Sequence, residues 1–349
     1  ADQMIGYIKE MRIRYGFRRF MLTAPSKEFR YTGFPDRSVF EAIGRDIVSV
    51  KKALAGVDVE IGWWCVTTIR IGKGPFQSIV RMNGSIANEA CCPLDKNYQK
   101  TFSEHVATVV RIARPFWINF EDDYHLNGGC FCPLHLEEFA RRQGKYYPRE
   151  VLQELFNSNR PERFKLLETW GKLSRESLAE LAASVRKAVD EIAPETRLCL
   201  CQSGASEREG NFTEIVTKAF AGKTRPAVRV RGASYFSDTP QDIPLSIFST
   251  LWDRQTLPAD FELIHESDTF PHTRFFISSS KLKTMMTAVL AYGLDDSLFY
   301  ATQYLENPLE ERGYCEMFLA EAKRFATLRS VAKKSRVEGC EIFRRPGTS

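Results

Sequence analysis

Two sets of carboxylic acids come directly after apolar runs that have the character of β-strands. The first set is three consecutive acids: Glu121, Asp122 and Asp123. The second set contains Glu266, which follows the apolar run 261–264. Two facing carboxyl groups can cleave a glycosidic bond, because one protonates the leaving oxygen while the other, ionised, attacks the sugar carbon or activates water. Acids also gather at strand ends simply because loops are solvated, so each set alone is a weaker signal than the two together.

Aromatic and polar side chains near the same strand ends are the candidates for binding a sugar. They are Trp63, Trp64, Tyr124, His125, Arg231, Tyr235, Trp252 and His265. One of the two adjacent tryptophans must fill the core, because neighbours on a strand point to opposite faces. Arg229 and Arg231 alternate along one strand, and an arginine on its inner face could bind a substrate hydroxyl or hold a catalytic acid ionised. Both could equally pair with structural acids.

A third pattern is typical of metal ligands. The segment 130–135 reads Cys-Phe-Cys-Pro-Leu-His, so Cys130, Cys132 and His135 offer three zinc ligands within one turn. A fourth ligand would come from elsewhere, and the segment 91–93, Cys-Cys-Pro, offers two thiols. With four protein ligands and no open position, this would be a structural zinc site. The alternative is a set of buried free cysteines that act as small apolar residues.

Strands that alternate with amphipathic helices are expected to position these residues. Short, apolar β-rich runs occur at 20–24, 57–66, 116–120, 198–202, 228–235, 261–265 and 297–301. Helical periodicity occurs at 4–15, 38–54, 96–113, 166–192, 212–220, 278–292 and 309–333. Such alternation predicts an α/β fold with a parallel sheet, specifically a (β/α)8 TIM barrel whose first strand is missing or irregular. We interpret the polar stretch 143–161, with Pro148 and Pro161, as an insertion.

Composition narrows the class of protein. Of 349 residues, 43% are hydrophobic and 27% are charged, which is typical of a globular chain that buries a large core. A net charge of +5 without charge runs argues against nucleic acid as a partner, and no apolar run reaches the roughly 20 residues of a membrane span. We expect a TIM-barrel domain over 1–335, followed at 336–349 by a strand or linker toward a domain that is absent here. A homo-oligomer remains open.

Cysteine usage and the N-terminus bear on the compartment. Nine cysteines cannot all pair with one another, which favours a reduced or metal-bound set. A signal peptide is expected to be absent or already removed. The compartment stays unknown, cytoplasmic or exported, and we expect no organic cofactor, since no Gly-x-Gly-x-x-Gly follows the first strand.

Together these motifs resemble glycoside hydrolase family 42, the β-galactosidase-like barrels of clan A. The order along the chain is similar: an acidic strand end, a zinc loop, and an apolar strand that carries a glutamate. The segment 122–124, Asp-Asp-Tyr, stands where the family has Asn-Glu-Tyr, and the segment 261–266 resembles the one that bears the family's nucleophile. Cys92 with the proline after it matches the family's remaining zinc cysteine.

The resemblance implies a retaining glycosidase in which Glu266 is the nucleophile and Asp123 the general acid/base. The sequence departs from the family at these points: aspartates replace the Asn-Glu pair, and His135 replaces the last zinc cysteine. Glu121 or Asp122 could therefore serve as the acid. The substrate implied is an oligosaccharide or glycoside with a β-linked sugar.

Two other hypotheses fit the same residues. A carbohydrate-binding barrel without catalysis is motivated by the aspartate in the acid position. A hydrolase with a catalytic metal would use Asp122, His125 and His265 as ligands, but the sequence contains only five histidines and no His-x-His pair at a strand end.

Overall fold

The computed structural model describes residues 2–25, 33–66, 68–203, 206–232, 241, 243–269, 277–299, 312–335 and 338. Within these ranges the strands are β1 (Arg19–Ala24), β2 (Glu60–Cys65), β3 (Ser78–Val80), β4 (Ile86–Cys91), β5 (Trp117–Phe120), β6 (Arg197–Cys201), β7 (Ala227–Val230), β8 (Glu262–Ser267) and β9 (Asp296–Phe299). The predictions for Tyr235 and, except for Glu338, for the segment 336–349 fall outside the described residues.

The helices of the described residues alternate with these strands. They are α1 (Asp2–Tyr15), α2 (Arg37–Ala53), α3 (Lys96–Ala113), α4 (Pro133–Gln143), α5 (Arg149–Phe156), α6 (Glu162–Asp190), α7 (Thr213–Ala221), α8 (Ile243–Thr256), α9 (Ser279–Ala291) and α10 (Gly313–Ala332). No helix of the described part of the chain is long and apolar enough to cross a membrane.

Seven strands form one sheet in chain order, β1-β2-β5-β6-β7-β8-β9. The ladders β2–β5, β5–β6, β7–β8 and β8–β9 are parallel. Each of the seven predicted strands overlaps one of these, which confirms the α/β prediction and is consistent with a TIM barrel. The antiparallel pair β3–β4 was not expected from the sequence.

Contacts divide the described residues into two compact units. We call them the Glu266 unit, built from 1–20, 49–61 and 227–341, and the Asp123 unit, built mainly from 21–48 and 62–226.

In the Asp123 unit, alternation along the strands divides the side chains between two faces of the sheet. Trp63 of β2 packs edge-on against Phe40 of α2, with ring centroids 6.4 Å apart. Phe120 of β5 stacks on Phe220 of α7 at 4.4 Å. This face therefore packs against helices. The ladder pairs Trp64 with Asn119, so these two side chains share the opposite face.

The helices between β5 and β6 have a core of their own around Trp170, which is fully buried. Phe131 stacks on the Trp170 ring at 4.5 Å, and Phe139 meets it edge-on at 4.9 Å. The stretch 143–161, which we interpret as an insertion, contains helix α5, which the sequence did not predict. Pro148 and Pro161 directly precede α5 and α6, a position at which the missing proline amide costs no helical hydrogen bond.

In the Glu266 unit, α1 packs on α10 through Met11, Tyr15 and Cys315. The Cys315 thiol lies 3.6 Å from the Met11 sulfur. Trp252, a sugar-binding candidate, lies on α8. All eight described cysteines are buried, and no two of these eight form a disulfide.

Candidate active site and metal centre

Glu266 lies near the C-terminal end of β8, where the strand order places it close to β7. The ladder aligns Arg229 with Ile264, and Glu266, two residues further on, shares that face. The Arg229 Nη1 lies 2.5 Å from the Glu266 Oε1, and the two side chains are only 3% and 6% exposed. The Gly232 amide donates to the Glu266 Oε2 at 3.4 Å. A buried carboxylate with a guanidinium on one oxygen and an amide on the other is held ionised.

His265, the neighbour of Glu266, points to the other face of the strand. Its Nδ1 is hydrogen-bonded to the Ser267 Oγ at 2.8 Å, and Ser267 is bonded in turn to the Ser297 hydroxyl. Complete burial, with the Arg229 charge nearby, lowers the pKa of His265 to about 3, so the ring is neutral. It lies against Gly232, where an added Cβ would be 2.1 Å from the His265 Nε2. Only glycine therefore fits the position whose amide contacts Glu266.

The acids after β5 lie in a segment that we call the acidic loop, residues 121–129. The Glu121 amide donates to the Cys65 carbonyl at 3.1 Å, which carries the strand alignment one residue beyond β5. Glu121 and Asp123 are buried and Asp122 is half-buried. The Asp123 carboxylate lies 3.8 Å from the Arg70 guanidinium, an arginine that the sequence did not single out. Arg70 and Asp123 thus form an ion pair within the Asp123 unit.

Tyr124 and His125 occupy different environments. Tyr124 is buried in the core: its hydroxyl donates to the Leu178 carbonyl at 2.8 Å, and its ring packs edge-on against Phe220. His125 is half-buried, and its Nδ1 accepts from the Asn127 amide at 2.9 Å. Burial lowers the pKa of His125. Of these two predicted sugar-binding residues, only His125 retains an accessible polar ring.

The remaining sugar-binding candidates also differ in whether their side chains fill the core. Trp63 is fully buried and donates from its indole nitrogen to the Ala24 carbonyl at 2.8 Å, so it is the tryptophan of the pair that fills the core. Trp64, on the opposite face with Asn119, remains a candidate. Arg231 is exposed, and Trp252 is half-buried on α8.

Sequence reasoning missed Glu209, although it is 1% exposed and lies beneath the acidic loop. It accepts from the Leu126 amide at 2.6 Å and from the Gly128 amide at 3.0 Å. Ser206 completes its shell with its hydroxyl at 2.8 Å and its amide at 3.3 Å. No local pattern reveals this role, because Glu209 is more than 80 residues in sequence from the two loop amides that it binds.

The four predicted metal ligands converge in the Asp123 unit. Cys92, Cys130, Cys132 and His135 are buried, and their ligand atoms all lie within 4.8 Å of one another. Among the described residues, this is the one cluster of histidine, cysteine and acidic side chains with such spacing. Cys91, the other thiol that the sequence left open, instead bonds the Gly72 carbonyl at 3.7 Å.

The donor geometry fits a tetrahedral zinc ion. The Sγ of Cys92 lies 3.3 Å from the His135 Nδ1 and 3.5 Å from the Cys132 Sγ. Zinc bonds of ~2.3 Å to sulfur and ~2.0 Å to nitrogen place neighbouring ligand atoms about 3.5–3.8 Å apart. The His135 Nε2 contacts the Ser177 Oγ at 3.3 Å, while that hydroxyl donates to the Ser174 carbonyl. Ser177 thus accepts from Nε2, which leaves Nδ1 unprotonated and ready to bind a metal.

The metal cluster links three parts of the Asp123 unit. Cys92 follows β4, Cys130 and Cys132 follow the acidic loop, and His135 belongs to the first turn of α4. The Phe131 amide also donates to the Val80 carbonyl of β3 at 2.7 Å. An ion here would fix the C-terminal end of the acidic loop.

Comparisons with known proteins bear on the fold. No family model and no curated protein sequence matches the chain. Among solved structures, it is similar to β-galactosidases from Bacillus circulans sp. alkalophilus (TM-score 0.58, 12% identity, 94% of this chain and 55% of that one) and from Marinomonas ef1 (TM-score 0.62, 8% identity, 95% and 59%). The chain has the fold of these glycosidases.

A third similarity covers almost all of the matched chain. It is to the catalytic domain of a β-amylase from Paenibacillus polymyxa, with a TM-score of 0.51 and 11% identity over 91% of this chain and 95% of that one. By contrast, the chain spans little more than half the length of the β-galactosidases. At these identities the similarity establishes the fold and leaves the activity to the residues of the site.

Proposed function

We propose that this protein is a retaining glycoside hydrolase that acts on a β-linked sugar, of the β-galactoside type or related to it. The observation that carries the proposal is Glu266: a buried carboxylate at a strand end, kept ionised by Arg229 at 2.5 Å. Active sites of TIM barrels are built at the C-terminal strand ends, and the folds that match belong to glycosidases.

In the proposed reaction, Glu266 attacks the anomeric carbon and the bond to the leaving oxygen breaks. A carboxylic acid of the acidic loop, with Asp123 as the first candidate, protonates that oxygen. After the aglycone leaves, the same residue takes a proton from water, which attacks the glycosyl-enzyme and releases the sugar with retained configuration. Arg229 and the Gly232 amide orient the nucleophile, and His125 and Trp64 supply contacts to the sugar.

One observation favours a second function, a carbohydrate-binding barrel without turnover. Asp123 forms an ion pair with Arg70 at 3.8 Å, a structural role that accounts for this aspartate without catalysis. If neither Glu121 nor Asp122 takes over the acid role, sugars bind and are not cleaved.

The test is hydrolysis of a panel of aryl β-glycosides by the wild-type chain and by Glu266→Gln. We expect the substitution to lower kcat by at least about a thousandfold with circular dichroism unchanged, because it removes the nucleophile and keeps the side-chain shape. The Tm should fall, since glutamine removes the charged partner of the buried Arg229. Glu262→Gln, on the same face of the same strand, is the matched control and should keep its activity. Retained activity in Glu266→Gln contradicts the assignment, and calorimetric binding of sugars without turnover supports the binding module.

A further inference from the structure

The acidic loop contains three consecutive residues in the left-handed backbone region. Asn127, Gly128 and Gly129 have φ values of 53°, 96° and 101°. Such a backbone follows no helix or strand, so its amides need acceptors outside regular secondary structure. Gly129 has little room as well, because an added Cβ would be 3.2 Å from the Phe131 ring and 3.3 Å from the Trp170 indole nitrogen.

Three successive amides of this loop are satisfied by side chains. The Leu126 and Gly128 amides donate to the two carboxylate oxygens of Glu209, at 2.6 and 3.0 Å. The Asn127 amide between them donates to the His125 Nδ1 at 2.9 Å. Glu209 therefore holds the backbone at Leu126 and Gly128, and the amide between them, that of Asn127, holds the His125 ring.

This arrangement determines the state of the His125 ring. Because the Asn127 amide is a donor, the Nδ1 of His125 must be an acceptor and the ring proton of the neutral form is on Nε2. Burial, which lowers the pKa of His125, supports the neutral form. The ring is half-buried and presents an N–H, a group that pairs with the oxygen of a sugar hydroxyl.

We propose that Glu209 is a positioning residue of the acidic loop, which holds His125 as a neutral Nε2–H donor for a substrate hydroxyl. The positioning stands on the hydrogen bonds alone, while the identity of the acceptor as a sugar hydroxyl rests on the proposed function. Glu209 lies after β6, the strand that neighbours β5, so the loop of one strand supports the loop of the next.

The first test measures the loop without reference to activity. We compare hydrogen exchange of the segment 125–129 in the wild-type chain, in Glu209→Gln and in Glu207→Gln. A glutamine has one acceptor oxygen and turns an NH₂ toward the other amide, so we expect exchange at least about tenfold faster in Glu209→Gln. Glu207, two residues away, is an exposed acid paired with Arg163 at 2.5 Å, and its substitution should leave the loop unchanged. Equal exchange in all three chains overturns the proposal.

The second test uses the wild-type chain, so it does not depend on whether a variant folds. Nitrogen-15 NMR of the imidazoles should show His125 with a protonated Nε2 and an unprotonated Nδ1 at neutral pH. A protonated Nδ1 would overturn the proposed role of His125.

The third test links the loop to the substrate. On an aryl β-glycoside we expect Glu209→Gln and His125→Ala each to raise KM by about tenfold or more with a smaller change in kcat, the signature of a lost binding contact. An unchanged KM in both variants overturns the link. If the wild-type chain cleaves no glycoside, the proposed function fails, and the exchange and NMR results still decide whether Glu209 positions the loop.

Discussion

The two candidate catalytic carboxylates are positioned in different ways. Glu266 is a strand residue: the ladder between β8 and β9 fixes its backbone, and the ion pair with Arg229 fixes its side chain. Asp123 belongs to a loop. Glu209 holds that loop through two of its amides, and the four candidate metal ligands lie beside its C-terminal end. A nucleophile that must stay ionised benefits from a rigid, buried cation. An acid that must change its protonation state twice benefits from a weaker partner, and Arg70 is 3.8 Å from Asp123.

Substitution of the candidate acid/base in the acidic loop should have the largest effect on activity. We expect Asp123→Ala to lower kcat by about 10²–10⁴-fold, and azide to restore product formation as the glycosyl azide, because the variant still forms the glycosyl-enzyme from a substrate with a good leaving group. Glu121→Ala and Asp122→Ala are the matched variants. Azide rescue in one of these and not in Asp123→Ala would transfer the acid/base role to that residue.

Removal of the metal should affect stability before chemistry. The cluster closes the C-terminal end of the acidic loop and contributes no residue to the proposed reaction. We expect Cys92→Ser to lose bound zinc, measured by elemental analysis, and to lower Tm by roughly 5–10 °C, the shift for a loss of about 3 kcal/mol. The control is Cys91→Ser, whose thiol is equally buried and contacts a carbonyl instead. If Cys92→Ser lost its zinc and were as stable as Cys91→Ser, the structural role of the metal would be contradicted.

The smallest effect that we predict is on stability, and it comes from His265, the neighbour of Glu266 on β8. His265 is neutral in the folded state with a pKa of about 3, whereas an unfolded histidine has a pKa near 6.5. Below pH 6.5 the unfolded chain binds a proton that the folded chain does not, so the free energy of unfolding falls as the pH falls, by about 1.4 kcal/mol per pH unit for this group. His265→Asn cannot titrate, so its urea midpoint should depend less on pH between 6.5 and 4.5. Equal slopes in the two chains would show that His265 is protonated when folded.

Features that depend on residues close together in the sequence could be predicted from it, and some short or unusual elements could not. The metal cluster could be predicted because three of its ligands lie within six residues, and period and apolarity located all seven strands of the sheet. The hairpin β3–β4 escaped prediction because β3 has three residues and β4 contains polar Asn88 and Glu89. Helix α5 was missed because Pro148 was interpreted as a break, whereas it precedes the first turn.

Long-range contacts account for what the sequence could not show in the site. Arg70 and Glu209 are ordinary charged residues in the sequence, and both acquire their roles through partners that are more than 50 residues away. Tyr124 stands next to the acids along the chain, yet its side chain turns into the core and donates to Leu178. Adjacency in sequence is therefore a poor guide to which polar side chains reach a site.

The central claim, that Glu266 is the nucleophile of a retaining glycosidase, is tested most directly by trapping the intermediate. The chain is incubated with a 2-deoxy-2-fluoro glycoside that has a good leaving group, and the labelled peptide is identified by mass spectrometry. The account predicts one fluorosugar per chain, attached to the peptide that contains Glu266, and no labelling of Glu266→Gln. A label on another residue, or turnover of aryl glycosides with inverted configuration and no label, would contradict it.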